Sequence, residues 1–416
     1  MSGQDTIAVI GAGIIGTAVA YALAREGRKV LLIDRAAPGT AGASFGNAGH
    51  IAAEDQRPLP SPGLLFGFYR ELFRYGGTLD LAPRQALRML PWIRRFAAAA
   101  FRRNENTRHF APLVRPSADK WGHWVKEIGQ PALLKRLGHY EVDFGAGGAA
   151  LLQAHARSMS QLGIESTAMP AEQLQPLQRA ANAPTSAGLW FKDSAHVTDP
   201  LGAVQALAAA AFARDTTFQQ LNVTALQARG DKIEVLGEQS SVLVDAAVVC
   251  AGIRSQPLLA PFGLNAPLQA VRGYHVELPA HASMLDAPVV YSRDRIIVTP
   301  MAGRLRATSY MEFKEADAPA DARKPARLRQ KLRALGYACD SEGRSWLGAR
   351  PVLPDYLPGI GRAPGAVKLL YAIGHQHLGL TLAPITGELI ADLVALRTPQ
   401  ISVAAFDLRR FGAHVP

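Results

Sequence analysis

Gly11, Gly13 and Gly16 stand in the run GAGIIG between a short apolar segment and a helical pattern that closes at Gly27, and Asp34 ends the next apolar segment. That spacing suits one chemistry. Gly11 permits a tight turn, Gly13 lets the backbone approach a pyrophosphate and Gly16 lets helix and strand pack closely, while the free N–H groups around Ile14 and Ile15 face phosphate charge. Asp34, with Arg35 beside it, is placed to accept hydrogen bonds from ribose hydroxyls. The unit binds the ADP half of a dinucleotide and by itself leaves FAD and NAD(P) open.

Positioning such a site takes a strand, a turn, a helix and a second strand, and residues 7–35 read as those four in order. The loop AAPGTAGASFGNAGHIA follows, where Gly, Ser and Asn let backbone pass close to a ligand. It is expected to cover the cofactor with Ser44, Asn47, Ala48 and Gly49. His50 then lies against the cofactor or pairs with a backbone carbonyl. A largely helical stretch runs to about Gly138, then HYEVDF as a strand, a helix over about 149–162, a strand near Ile164 and another at AGLWF. Asp199 and Pro200 open an alanine-rich helix as N-cap and first-turn residue. VLVDAAVVCAG reads as one strand entering a glycine turn beside the nucleotide.

From about Val271 the pattern changes to alternating strands, RGYHVELP, APVVYS, RIIVTPM and RLRATSYMEF, which predict an antiparallel substrate sheet. LLYAIG and the run HQHLGLTLAPITGELIADLVAL then return to the nucleotide-binding character of a strand turning into a helix. The fold class expected is α/β, an α+β arrangement of two interleaved domains. A Rossmann-like nucleotide-binding domain takes residues 1–60, 147–180, 195–265 and 345–416, and an antiparallel-sheet substrate domain takes 61–146, 181–194 and 266–344.

With 48% apolar and 19% charged residues in 416, the chain suits two well-buried globular domains. Cys250 and Cys339 suggest neither a disulfide framework nor a thiolate metal site. No secretory signal pattern and no apolar run of about eighteen residues is found, so a cytoplasmic protein is expected. The net charge of +11 is uneven. Residues 70–108 carry nine arginines against Glu71, Asp80 and Glu105, interleaved with aromatic and aliphatic side chains. Such a segment is either a solvated face or a peripheral contact with the inner face of an anionic membrane. A second basic run, RKPARLRQKLR, reads as an exposed helix. Neither comes with a nucleic-acid recognition module, so no nucleic-acid partner is expected.

Taken in order, GAGIIG, SFGNAGHI, VVCAGIRSQPLL, RGYHVEL, LGARPVLPDYLPGIG and GHQHLGLTLAPITGELIADL resemble the D-amino-acid oxidase and dehydrogenase family of FAD proteins over nearly the whole chain. The loops are most similar to the branch that holds the small subunits of D-amino-acid dehydrogenases, and GHQHLGLTLAP to bacterial D-hydroxyproline dehydrogenases. The resemblance implies noncovalent FAD, since the motifs of covalent attachment are not matched and Asn47 falls near the linking position. It places Val223, Ala251 and Gly252 along the cofactor. It also implies that Gly374, His375, Gln376, His377, Leu378 and Gly379 form a flavin clamp, where a helix's positive end meets the flavin's N1/C2=O edge. His375 and His377 lack HExxH spacing, and no metal is expected.

By the same resemblance, the arginine of the motif GxRP, here Arg350, anchors the substrate carboxylate, a role suited to a planar guanidinium. His50, His377, Tyr310 and Tyr291 are further candidates around the substrate. Tyr274, His275, Tyr291 and Tyr310 lie on the substrate sheet, where aromatic residues also serve as packing. The implied activity is oxidation of a small D-amino or cyclic imino acid to an imine, with cis-4-hydroxy-D-proline as the leading substrate. The amine lone pair then drives hydride from the α-carbon to flavin N5, and a quinone or protein carrier takes the electrons. Alternatives are a broad D-amino-acid dehydrogenase, a glycine or sarcosine oxidase, or the flavin-bearing component of a larger electron-transfer assembly.

Overall fold

The computed structural model describes residues 5–279, 286–339, 343–365 and 368–412. Its first strand, Thr6–Ile10, is covered on both faces: Ile7 and Val9 join a core with helices, and Ala8 and Ile10 join another with a small sheet. That double burial is why the segment is unbroken in its apolarity rather than alternating. It sits within a six-stranded sheet ordered Thr216–Gln220, Lys29–Asp34, Thr6–Ile10, Ala246–Val249, Leu369–Ile373, Gly359–Arg362. The first five run parallel and the last joins antiparallel. Helices Ile14–Arg25, Pro200–Phe212 and Gly379–Val394 pack together in the core on one face. The antiparallel strands Val223–Arg229, Lys232–Gly237 and Ser241–Val244 cover the other.

The second large sheet has nine strands among the described residues. Along its main path they are Ser345–Val352, Gln269–Pro279, Arg304–Phe313, Ile296–Met301, Val289–Tyr291, His139–Asp143, Ala187–Phe191 and Thr167–Ala168, with Leu79–Asp80 beside Arg304–Phe313. Pairing is mostly antiparallel, as the alternating pattern predicts, with two parallel contacts at Val289–Tyr291/His139–Asp143 and Leu79–Asp80/Arg304–Phe313. A third, small sheet joins His50–Ile51, Ala195–Val197 and Leu134–Lys135.

Several expectations need correction. Residues 147–180, assigned to the nucleotide domain, pack with the nine-stranded sheet: Thr167–Ala168 is its last strand and Leu177 lies in its core. The strand expected near Ile164 forms three residues later, as Thr167–Ala168. Ser345–Val352 likewise belongs to that sheet, paired to Gln269–Pro279. Conversely, helices Arg103–Val114 and Ser117–Glu127, assigned to the substrate domain, put Phe110, Trp121 and Trp124 into the Rossmann-side core. Trp121 Nε1 donates to the Leu380 carbonyl at 2.8 Å, fixing that packing. The single strand expected over VLVDAAVV is two strands in different sheets, broken at Asp245, whose carboxylate accepts from the Thr6 amide. Asp199 holds the N-cap position without a side-chain cap bond. Helix Arg323–Ala334 is exposed on one side only, because Leu328, Leu332 and Lys324 are buried. Lys324 is held there by Asp80, Glu312 and Asp321.

Candidate flavin and substrate site

A cavity of about 980 Å³ is walled by both large sheets. Its nucleotide end begins where Thr6–Ile10 turns into helix Ile14–Arg25. Gly11 has φ +108, and a Cβ there would lie 2.4 Å from the Cys250 carbonyl oxygen. Gly13, Ile14 and Ile15 line the cavity, and Ser44 Oγ accepts from the Ile14 amide at 3.0 Å. A Cβ on Gly13 would come 3.2 Å from that same Ser44 Oγ, so the bare glycine keeps this phosphate cradle open. Gly16 does not reach the cavity; a Cβ there would lie 1.7 Å from the Gly11 carbonyl oxygen, which is its close-packing role. Asp34 lines the cavity with Arg35, one carboxylate oxygen accepting from Ala12 N at 2.6 Å.

Along the middle, Asn47, Ala48, Val223, Ala251 and Gly252 line the cavity. Gly49 does not. Its φ of +76 turns the chain while Asn47 Oδ1 accepts from its amide, so its contribution is to the loop's path. At the far side Gly374, His375, Gln376, His377, Leu378 and Gly379 line the wall where helix Gly379–Val394 begins. That helix has no acidic residue in its first turn, leaving its positive end unopposed. The two histidines differ. His375 turns its ring into the core, with Nε2 3.1 Å from Thr386 Oγ1 and burial pulling its pKa to about 3, so it offers backbone to the cavity. His377 is half-exposed, with Nε2 2.7 Å from Asp55.

Arg350, on edge strand Ser345–Val352, lines the substrate side. Its Nη1 donates to the Tyr310 carbonyl at 3.0 Å, and no ion pair among the described residues uses its charge. Burial pulls its pKa below the ordinary guanidinium range. A desolvated cation without a counter-charge is costly, so the geometry asks for an anionic ligand. Gly273 makes room for it, since a Cβ there would lie 2.0 Å from Arg350 Nη2. Leu59, Leu64, Met89, Trp92, Ile93 and Phe96 wall the cavity with apolar surface.

The aromatic candidates separate. Tyr310 lines the cavity, has φ +74, and packs edge-on to Phe73 and Tyr274; its buried hydroxyl has no hydrogen-bond partner among the described residues, and burial pushes its pKa up to about 12. Tyr291 is not at the site. Val290 lines the cavity, and Tyr291, on the opposite face of the strand, does not; its hydroxyl lies 2.7 Å from Tyr337 Oη in the buried core of the sheet. His275 supports the cofactor loop from behind, its Nδ1 3.0 Å from the Gly46 carbonyl and its ring stacked on Trp346.

His50 lines the cavity and contacts an acid rather than a carbonyl. Its Nε2 lies 3.4 Å from Glu54 Oε1, off the line of a hydrogen bond. Ser194 Oγ donates to Glu54 Oε2 at 2.5 Å and lies 3.1 Å from His139 Nδ1. Burial pulls the pKa of His50 to about 4 and of His139 to about 3, so both rings are neutral at pH 7. Glu54, Ser194, His139 and Tyr356 were not singled out in the sequence. For Tyr356 the LPDYLPG turn was the available signal.

The family model for FAD dependent oxidoreductases (DAO) matches residues 6–393. The chain belongs to that family. Its cofactor is FAD, and the glycine turn, the cavity-lining Asp34 and the helix end described above fit it. The FAD dependent oxidoreductase is 30% identical to D-amino acid dehydrogenase 2 of Ralstonia nicotianae over 97% of this chain and 100% of that one. It is 29% identical to D-amino-acid oxidase of Bradyrhizobium diazoefficiens over 97% and 98% respectively. Glycine oxidase from Geobacillus kaustophilus shares the fold with a TM-score of 0.75 at 21% identity, over 98% of this chain and 99% of that one.

Proposed function

We propose that this FAD enzyme is a dehydrogenase of a small D-amino or cyclic imino acid, with cis-4-hydroxy-D-proline as its leading substrate. The observation that carries the reading is Arg350, a cation without an acidic partner among the described residues, in a cavity whose wall is mostly apolar. A carboxylate fits that guanidinium in a bidentate pair. The names of relatives similar over their full length support D-amino acids as the class. Preference for the hydroxylated ring rests on the resemblance of GHQHLGLTLAP, residues 375–384 following Gly374.

Bound FAD supplies the hydride acceptor. Arg350 holds the carboxylate and so fixes the α-carbon in one orientation, while Trp92, Ile93 and Phe96 exclude water from the substrate's carbon skeleton. The amine nitrogen's lone pair drives the loss of hydride, the imine forms, and no strong base on the chain is needed. A quinone or protein carrier then takes the electrons, and the basic segment 70–108 is the proposed contact with a membrane surface. A broad D-amino-acid dehydrogenase is the second reading, favoured by the apolar lining, which fits many side chains.

Anaerobic stopped-flow mixing with cis-4-hydroxy-D-proline, D-proline, D-alanine and sarcosine tests both. Rapid flavin bleaching by hydroxyproline above the others is the expected result. Equal bleaching by many D-amino acids selects the broad enzyme, and a flavin that none reduces removes the substrate class.

A further inference from the structure

Tyr356 occupies a backbone position that bulky side chains avoid. Its φ is +57, in the left-handed region where a Cβ is strained and glycine is the ordinary choice. The ring is 1% exposed, packs edge-on to Phe96 and lines the cavity that holds Arg350. Its carbonyl is taken by the Gln376 side chain, which ties the turn to the flavin clamp. Its hydroxyl is buried and has no hydrogen-bond partner among the described residues.

Two costs therefore fall on one residue. A strained backbone conformation and an unmet buried hydroxyl each destabilise the folded state. Neither is relieved by packing, since phenylalanine would fill the same space without the polar atom. The charged groups that act on this phenol are Arg350, which favours its ionised form, and Asp55, which opposes it. Tyr356 and Arg350 line the same cavity. The unmet donor and the cation without an acid thus share one neighbourhood, and a single ligand group satisfies both if it is an acceptor carrying negative charge.

We propose that the Tyr356 hydroxyl donates a hydrogen bond to the substrate carboxylate held by Arg350, making Tyr356 a substrate-binding and specificity-determining residue of this enzyme. The inference rests on the Arg350 reading above and adds the second donor. It also explains the strain: the turn at 355–357 is bent to bring a phenol into the pocket at a position where glycine would relax it. A carboxylate with two donors is fixed in plane and tilt, which limits the faces from which the α-hydrogen is presented.

The test is Tyr356→Phe in the full-length flavoprotein, with its visible spectrum confirming bound FAD. Pyrrole-2-carboxylate, a planar carboxylate that is not oxidised, serves as a binding probe followed by its perturbation of the flavin spectrum. The expected result is a roughly tenfold weaker dissociation constant for the probe, the usual effect of losing a hydrogen bond to a charged group. KM for D-proline and for cis-4-hydroxy-D-proline should rise by the same factor, with kcat changed less. A hydroxyl that is merely unsatisfied gives the opposite pattern, in which the variant melts at a higher temperature and probe affinity is unchanged. That outcome overturns the proposal, as does a loss confined to the hydroxylated substrate, which would assign the phenol to the ring hydroxyl. Tyr356→Gly is the second variant: it relaxes the turn but also removes the ring packed on Phe96, so with FAD still bound its probe binding should weaken at least as much as in Tyr356→Phe. A wild-type enzyme that binds the probe through Tyr356 yet is reduced by none of the amino acids would overturn the substrate class while leaving this contact standing.

Discussion

Arg350 and Gly273 work as a matched pair on neighbouring strands, with the guanidinium lying where a Cβ on residue 273 would be. Gly273→Ala is therefore expected to displace the guanidinium and raise KM for the amino acid about tenfold or more while the flavin spectrum stays intact. Arg350→Lys removes the planar fork but keeps the charge, so kcat/KM should fall by roughly a hundredfold, the equivalent of about 3 kcal/mol from charged hydrogen bonds. Steady-state kinetics on both variants checks this, and unchanged kinetics in Arg350→Lys would remove the clamp from the mechanism. Arg350 was legible in the sequence because a local motif, LGARPVLPD, carries it. Gly273 was legible only as part of a motif, since the atom it must avoid lies on another strand. The assignment of Tyr291 failed by one residue of strand parity, because a strand of three residues is too short for its pattern to declare which face meets the cavity.

At the scale of elements, the small sheet of His50–Ile51, Ala195–Val197 and Leu134–Lys135 joins the cofactor loop to the long-range core. His50 and His196 are partners across it, and His139 lies against His50 with ring centroids 4.7 Å apart. Burial lowers the pKa of all three to about 3–4, below the value of an unfolded histidine near 6.5. The unfolded chain therefore binds more protons in that window, so their contribution to stability is complete above about pH 6.5 and falls as pH drops toward 4. Each histidine takes about 1.4 kcal/mol per pH unit with it. Melting temperature should fall between pH 7 and pH 5, and amide exchange at 50–51 and 195–197 should accelerate before exchange in the strand Thr6–Ile10. Uniform loss of protection would argue against a local acid-sensitive element. None of this sheet was predicted, because its strands of two or three residues have no period to read and pair across long stretches of chain. The long elements were legible for the converse reason: Gln269–Pro279, Arg304–Phe313 and Gly379–Val394 carry their own pattern.

For the whole molecule, the two domains interleave more deeply than composition suggests: helices Arg103–Val114 and Ser117–Glu127 serve the Rossmann side, and edge strand Ser345–Val352 crosses to deliver Arg350 to the other sheet. Between those crossings, residues 62–102 form a wall with two faces. Inward, Leu64, Leu65, Phe68, Met89, Trp92, Ile93 and Phe96 line the flavin cavity. Outward, Phe66, Tyr75, Leu87 and Phe101 stand 63–77% exposed among the exposed Arg70, Arg74, Arg84, Arg88, Arg94 and Arg102. No helix among the described residues is long and apolar enough to cross a membrane, so the contact proposed above is interfacial. A basic residue near an anionic bilayer is worth about 1 kcal/mol, and three of these six reaching the headgroups would favour binding by over a hundredfold. The enzyme should co-sediment with phosphatidylglycerol vesicles, not with phosphatidylcholine alone, and release as salt rises from 0.1 to 0.5 M shortens the Debye length from about 10 Å to under half that. Phe66→Glu with Phe101→Glu should abolish binding and leave flavin reduction by the amino acid intact, because both side chains point away from the cavity. Vesicle binding that survives the double variant, or that ignores lipid charge, would leave segment 70–108 as a solvated basic face.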